Sequence, residues 1–210
     1  MKAIITLFLI TLQLSSIQAQ IKIYQTKHLN VGFGKTSVCA GSQFIDFVVN
    51  GPLVDANGLP VGGYVDNGSQ KQGWSNPAQA GGNFATDNCI FGLGLNGKLY
   101  MVPSTESSTL PAMKWAIQNG PALVKNGVNT RGTSTSKYTR SGIGYKNDGT
   151  LVVILSLTPV TFREFAEMFI QQDCINAIYL GGSPYVGYSD KSGSYGSLVP
   201  TATKLQFFNN

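Results

Sequence analysis

The sequence predicts an α+β fold, with a mixed β-sheet core built from hairpins and few short helices. Three observations predict it. Charged residues make up only 12% of the 210-residue chain and glycine fills 25 positions, which favours strands and tight turns over long solvent-facing helices. Short apolar runs recur between clusters of glycine, asparagine and proline, the pattern of strands closed by turns. One segment, starting at Thr161, carries a complete helix-start signal.

The N-terminus reads as an export signal. Lys2 precedes an apolar run over residues 3–14, which turns small and polar at Ser15, Ser16, Gln18 and Ala19. The run is shorter than the ~20 residues of a membrane span. Cleavage after Ala19 would leave Gln20 first and no stable membrane span, so the expected location is secreted or periplasmic. Ile17 is bulkier than the residue usually found two positions before such a cut, and an uncleaved anchor is the rival reading. Residues 1–19 are thus the signal peptide, and residues 20–210 hold enough chain for one domain of ordinary size.

Within that domain, residues 44–49 form a short, mostly apolar run closed by Asn50, Gly51 and Pro52, which predicts a buried strand. Residues 91–95 and 98–102 flank Asn96-Gly97, a pair that tolerates the positive φ angles of a type I′ hairpin turn. A short helix is expected over 111–117. Residues 143–146 and 150–157 flank Asn147-Asp148-Gly149, and 151–155 are apolar throughout, as in a central strand covered on both faces. Thr161 and Glu164 stand at the N-cap and N3 positions of a capping box, with Val160 and Phe165 as the hydrophobic staple. Phe162, Phe165, Ala166 and Phe169 recur at three and four, so the helix to about residue 171 packs one face on a sheet. Residues 174–180 return as a strand broken by Gly181-Gly182-Ser183-Pro184, and 187–196 read as a mobile Gly-, Ser- and Tyr-rich loop. Strand, helix and strand make one βαβ-like unit joined to antiparallel hairpins.

Composition excludes several functions. The formal charge of +5, or +4 once Lys2 is removed, comes from fifteen scattered basic residues with no run of three, so there is no stripe for nucleic acid. His28 is the only histidine and no Cys-x-x-Cys pair exists, which argues against a zinc site and a Ser-His-Asp triad. No metal or other cofactor is required. Cys39, Cys89 and Cys174 allow one internal disulfide at most, expected between Cys39 and Cys89, with Cys174 a small buried apolar residue.

Three glycine-marked strand ends remain: Asn50-Gly51, Gln118-Asn119-Gly120-Pro121 and Gly181-Gly182-Ser183. Glycine lets backbone approach a ligand, and successive free N–H groups in a turn can hold an anion, although each taken alone is more often a plain turn. Arg140 adds a planar cation suited to phosphate or carboxylate, though singly such a residue is more often a surface charge.

In this order, Val49-Asn50-Gly51, the run 117–124 around Asn119-Gly120-Pro121, Thr139-Arg140-Ser141-Gly142-Ile143-Gly144 and the run 174–180 resemble the phosphodiester glycosidase family. The resemblance covers about 44–188 and is most specific from Gln118 onward. Two departures stand out. The family usually reads Asn-Gly-Gly where this chain has Asn50-Gly51-Pro52, and Leu-Asp-Gly where it has Leu180-Gly181-Gly182, so Gly181 holds the place of a motif aspartate. Glycoside hydrolysis generally uses a carboxyl group, although a phosphate leaving group needs less protonation. Asp190, in the following loop, is the candidate substitute.

The resemblance implies an exported protein acting on a sugar phosphodiester or related envelope glycan. Arg140 would grip the phosphate, and Asn50 and Asn119, with Gly51, Gln118 and Gly120 beside them, would orient sugar hydroxyls. The turn N–H groups of Gly181, Gly182 and Ser183 would cradle the anion. The alternative is a weakened relative that binds phosphorylated or acidic glycans without hydrolysing them. An adhesion component using the aromatic tail over 185–195 is a third reading.

Overall fold

A computed structural model describes residues 21–27, 31–34, 45–57, 59–183, 186–196 and 204–208. The expected signal segment over residues 1–19, His28 and Cys39 lie outside them. Three antiparallel sheets and few short helices make the chain α+β, as its sequence predicts.

The largest sheet runs in the order β1 (Ile21–Thr26), β12 (Leu151–Val160), β11 (Tyr138–Lys146), β13 (Cys174–Gly182), β9 (Ala122–Lys125) and β10 (Val128–Asn129). A second contains β15 (Gly193–Gly196), β14 (Gly187–Asp190), β3 (Ile45–Asn50), β16 (Lys204–Phe208) and β2 (Val31–Gly34). A third contains β5 (Ser69–Gln72), β4 (Tyr64–Asp66), β8 (Met113–Asn119), β6 (Cys89–Gly94) and β7 (Leu99–Pro103). Two single-turn helices, α1 (Pro77–Ala80) and α2 (Gly82–Ala85), precede β6, and α3 (Phe162–Ile170) joins β12 to β13. Both β12 and β13 pair antiparallel with β11, so they run parallel to each other with β11 between them. The expected βαβ-like unit is therefore a split one.

The central sheet is apolar on both faces because each has its own layer to cover. Leu151, Val153 and Leu155 join Phe47, Val49, Phe91, Trp115 and Phe207 in a core between the sheets, while Val152 and Ile154 meet Phe165, Ala166 and Phe169 of α3. Full burial of each phenylalanine contributes about 1.5–3 kcal/mol. The helix packs close because β11 presents Gly142 and Gly144 to it. A Cβ at Gly142 would stand 3.0 Å from the Phe169 ring and 3.1 Å from that of Phe165. The capping box forms as the sequence predicts: Glu164 N–H donates to Thr161 Oγ1 at 3.1 Å, and Thr161 N–H donates to the Glu164 carboxylate at 2.8 Å.

Three local expectations are corrected. Residues 111–117 do not form a helix: from Met113 onward they are β8, paired with β4 on one side and β6 on the other. Trp115, Ala116 and Ile117 are fully buried between those neighbours, and that pairing overrides the local helical reading. The β6–β7 turn is not type I′, since Gly97 has a positive φ of 77° and Asn96 does not. Gly97 N–H donates to Gly94 O at 3.0 Å, the pattern of a type I turn followed by a left-handed glycine. Asn-Gly pairs with both residues at positive φ occur instead at Asn67-Gly68 and Asn126-Gly127. Finally, 187–196 is a hairpin of β14 and β15 rather than a loop, with Tyr188 opposite Tyr195.

Candidate active site

Arg140 is 2% exposed, and its environment follows from strand periodicity. On β11 it alternates with Ser141, so the two side chains leave opposite faces of the sheet. Arg140 takes the α3 face. Its Nε donates to Val160 O at 2.9 Å and its Nη2 to Ser136 O at 3.2 Å, while the Phe162 ring lies 3.6 Å from the guanidinium carbon. The Tyr179 side chain lines the same cleft as Arg140. Burial pulls the Arg140 pKa below its ordinary value, and arginine stays charged nonetheless. Burial also pushes the Tyr179 phenol up to about 12, with Arg140 opposing it, so the phenol stays protonated and neutral.

No described carboxylate forms an ion pair with Arg140. Arg140 lines a cleft of about 440 Å³ whose other walls include Ser134, Ser136, Ser183 and Asn83, with Tyr138 at 54% exposure. None of the described lining residues carries a carboxyl group. A buried cation without a carboxylate partner among the described residues, in a cleft that also carries serine and asparagine side chains, is chemically a candidate anion site.

Asn50, Ser141 and Gly181 meet on the opposite face. Asn50 Nδ2 donates to Ser141 Oγ at 2.6 Å, and Ser141 Oγ donates to Gly181 O at 3.1 Å. Asn119 Nδ2 donates to the carbonyls of Tyr179 and Leu180 at 2.8 and 2.9 Å. The Oδ1 atoms of Asn50 and Asn119 are buried and accept no hydrogen bond from the described residues. Both side chains therefore brace the end of β13, and the structure does not bring them to the Arg140 cleft.

Other candidates also take structural roles. Gln118 is fully buried and spends its amide on Gly63, Ser75 and Asn88, holding the segment before β4 and the one after β5. Gly120 lies under α2, where a Cβ would stand 2.8 Å from Thr86 O. Gly51 is buried behind Asn50. The expected N–H cradle at 181–183 does not form: β13 runs through Gly182 in register with Arg140, and Ser183 N–H donates to Thr139 O at 3.2 Å. Of that trio, Gly182 and Ser183 line the Arg140 cleft through other atoms.

Asp190 is not a relocated acid for this cleft. It stands on β14 opposite Phe47, three residues along β3 from Asn50, and lines a different depression with Tyr24 and Lys27. Burial raises its pKa, but Lys22 at 2.8 Å, Ser192 and the Tyr24 hydroxyl outweigh that and hold the carboxyl well below the usual range. Such a group is a poor proton donor near neutrality. Cys89 and Cys174 are buried free thiols, and Cys39, the expected partner of Cys89, lies outside the described residues.

Sequence reasoning found Arg140 but missed Tyr138, Phe162 and Tyr179, the aromatic groups around it. The signal was present: Tyr138 and Arg140 are two apart on one strand, and Phe162 directly follows the N-cap.

The sequence profile of the phosphodiester glycosidase family matches residues 43–189. The chain is 30% identical over 126 residues to the uncharacterised protein YigE of Escherichia coli K12, a match spanning 58% of this chain and 49% of that protein. Its fold is similar to the zebrafish N-acetylglucosamine-1-phosphodiester alpha-N-acetylglucosaminidase catalytic domain auto-inhibited by its pro-peptide. The TM-score is 0.62 at 16% identity, over 90% of this chain and 73% of that one. A hypothetical protein from Synechocystis matches at TM-score 0.52 and 11% identity, over 90% of this chain and 59% of the other.

Proposed function

The chain belongs to the phosphodiester glycosidase family, and from that premise we propose that it is an exported protein that takes a sugar phosphodiester of an envelope glycan into the Arg140 cleft. One observation carries the reading: a buried arginine with no carboxylate partner among the described residues lines a cleft. A phosphodiester is a single negative charge with acceptor oxygens, which matches one arginine in a cleft that also carries serine and asparagine side chains. Breaking the bond between the sugar carbon and the phosphate oxygen leaves a phosphomonoester. Its extra charge develops on the oxygen nearest the cation, where Arg140 stabilises it without donating a proton. Water supplies the incoming oxygen to the sugar carbon, and its released proton goes to solvent.

The second reading, binding without turnover, is favoured by the lack of any carboxyl group among the described cleft residues. General acid–base help is typically worth about 10²–10⁴-fold, so its loss leaves slow hydrolysis or none. The test is to measure binding of a sugar phosphodiester, and release of its phosphomonoester, by the natural protein and by Arg140→Gln. Glutamine keeps a donor toward Val160 O while removing the charge. Saturable binding that disappears in a still-folded Arg140→Gln supports the site, and equal binding by both proteins sinks it. Phosphomonoester release then decides between hydrolase and binder.

A further inference from the structure

We propose that Tyr138 is the platform on which the sugar ring of the ligand rests, and that it sets the preference for a glycosyl ester over other phosphodiesters. This rests on the reading of Arg140 as the anion site. Tyr138 is 54% exposed, while the aromatic rings of Phe162 and Tyr179 in the same cleft are half-buried and buried. It stands two residues before Arg140 on β11, so both side chains belong to the same face, and its ring centroid lies 5.6 Å from the guanidinium carbon. An irregular register between Tyr138 and Arg140 marks this strand end: Tyr138 pairs with Val160 and Arg140 with Ser156. The two additional residues lie on β12, so β11 keeps its alternation and both side chains stay on one face.

The other ring near the cation already has its partners. Phe162 packs on the guanidinium at 3.6 Å and makes a T-shaped contact with Tyr179 at 5.0 Å, and it is less exposed than Tyr138. Tyr138 alone offers an exposed aromatic surface next to the charge. A pyranose ring carries apolar C–H faces beside polar edges, and an amphipathic ring such as tyrosine suits that combination. A ligand with one anion joined directly to one pyranose ring meets the cation and the platform together. Ser134 and Ser136, both exposed, stand on the segment leading into Tyr138 and reach the same cleft with hydroxyl groups.

The experiment compares two monoanionic probes, methyl glucosyl phosphate and dimethyl phosphate, by NMR titration of the natural protein, Tyr138→Ala, Tyr138→Trp and Arg140→Gln. The natural protein should favour the glycosyl ester by about tenfold, the order of a single aromatic contact. That ratio should collapse toward one in Tyr138→Ala and persist in Tyr138→Trp, which keeps a ring. A ratio retained by Tyr138→Ala overturns the platform while leaving the anion site standing. Binding of neither ester, or binding indifferent to Arg140→Gln, overturns the anion site and the platform with it.

Discussion

Position 181 shows how much hangs on which way a single side chain points. Gly181 has no positive φ, so nothing in its backbone demands glycine. An added Cβ would instead stand 2.9 Å from Asn50 Nδ2, on the face away from Arg140. Gly181→Asp should therefore displace the Asn50 amide from Ser141, costing about 1 kcal/mol of stability, and should supply no proton to a ligand held at Arg140. Thermal melts and phosphomonoester release check both halves. A rise in turnover would move the chemistry to the Asn50 face. The sequence marks Gly181 as unusual, yet the direction of a side chain at a strand end depends on register. The extra residue between Ser141 and Gly142 pairings along β13 is invisible in the string of letters. Arg140 was legible only through the Thr139–Gly144 run that carries the family resemblance, since singly it reads as a surface charge.

At the scale of elements, the strongest local signals survive and the weaker ones yield to pairing. The Thr161–Glu164 capping box depends only on residues three apart, and it forms as read. Trp115 to Ile117 carry no local statement of strand, because β8 is buried on both sides and lacks the alternation that announces a half-exposed strand. The hairpin of β14 and β15 was hidden by its glycines. It is held by Asp190, whose carboxylate accepts hydrogen bonds from Ser192 and Tyr24 and pairs with Lys22 of β1, so one residue ties the second sheet to the edge of the first. Asp190→Asn should lower stability by about 2 kcal/mol at neutral pH. The folded pKa lies below the ordinary value near 3.9, so the carboxylate's contribution is present above that value and is lost as pH falls through it. Melting temperatures measured across pH should show a constant gap between the two proteins above about pH 5 that closes on further acidification. A gap unchanged in acid would mean that the charge is not what holds the hairpin.

Over the whole molecule, the arrangement separates two groups of residues that sequence order had suggested were one site. Residues marked by glycine and asparagine, namely Asn50, Asn119 and Gly181, converge between the sheets and tie β3, β8, β11 and β13 at one end. The cation and its aromatic neighbours face α3, which the capping box and the glycines of β11 seat close to the sheet. Scaffold and cleft thus share strands but not faces. The measurement that bears most directly on this division is a structure of the protein soaked with methyl glucosyl phosphate. The phosphate should lie within hydrogen-bond reach of the Arg140 guanidinium and the hydroxyls of Ser136 or Ser183, with the sugar against Tyr138. Ligand held instead by Asn50 and Ser141, with Arg140 untouched, would contradict the assignment.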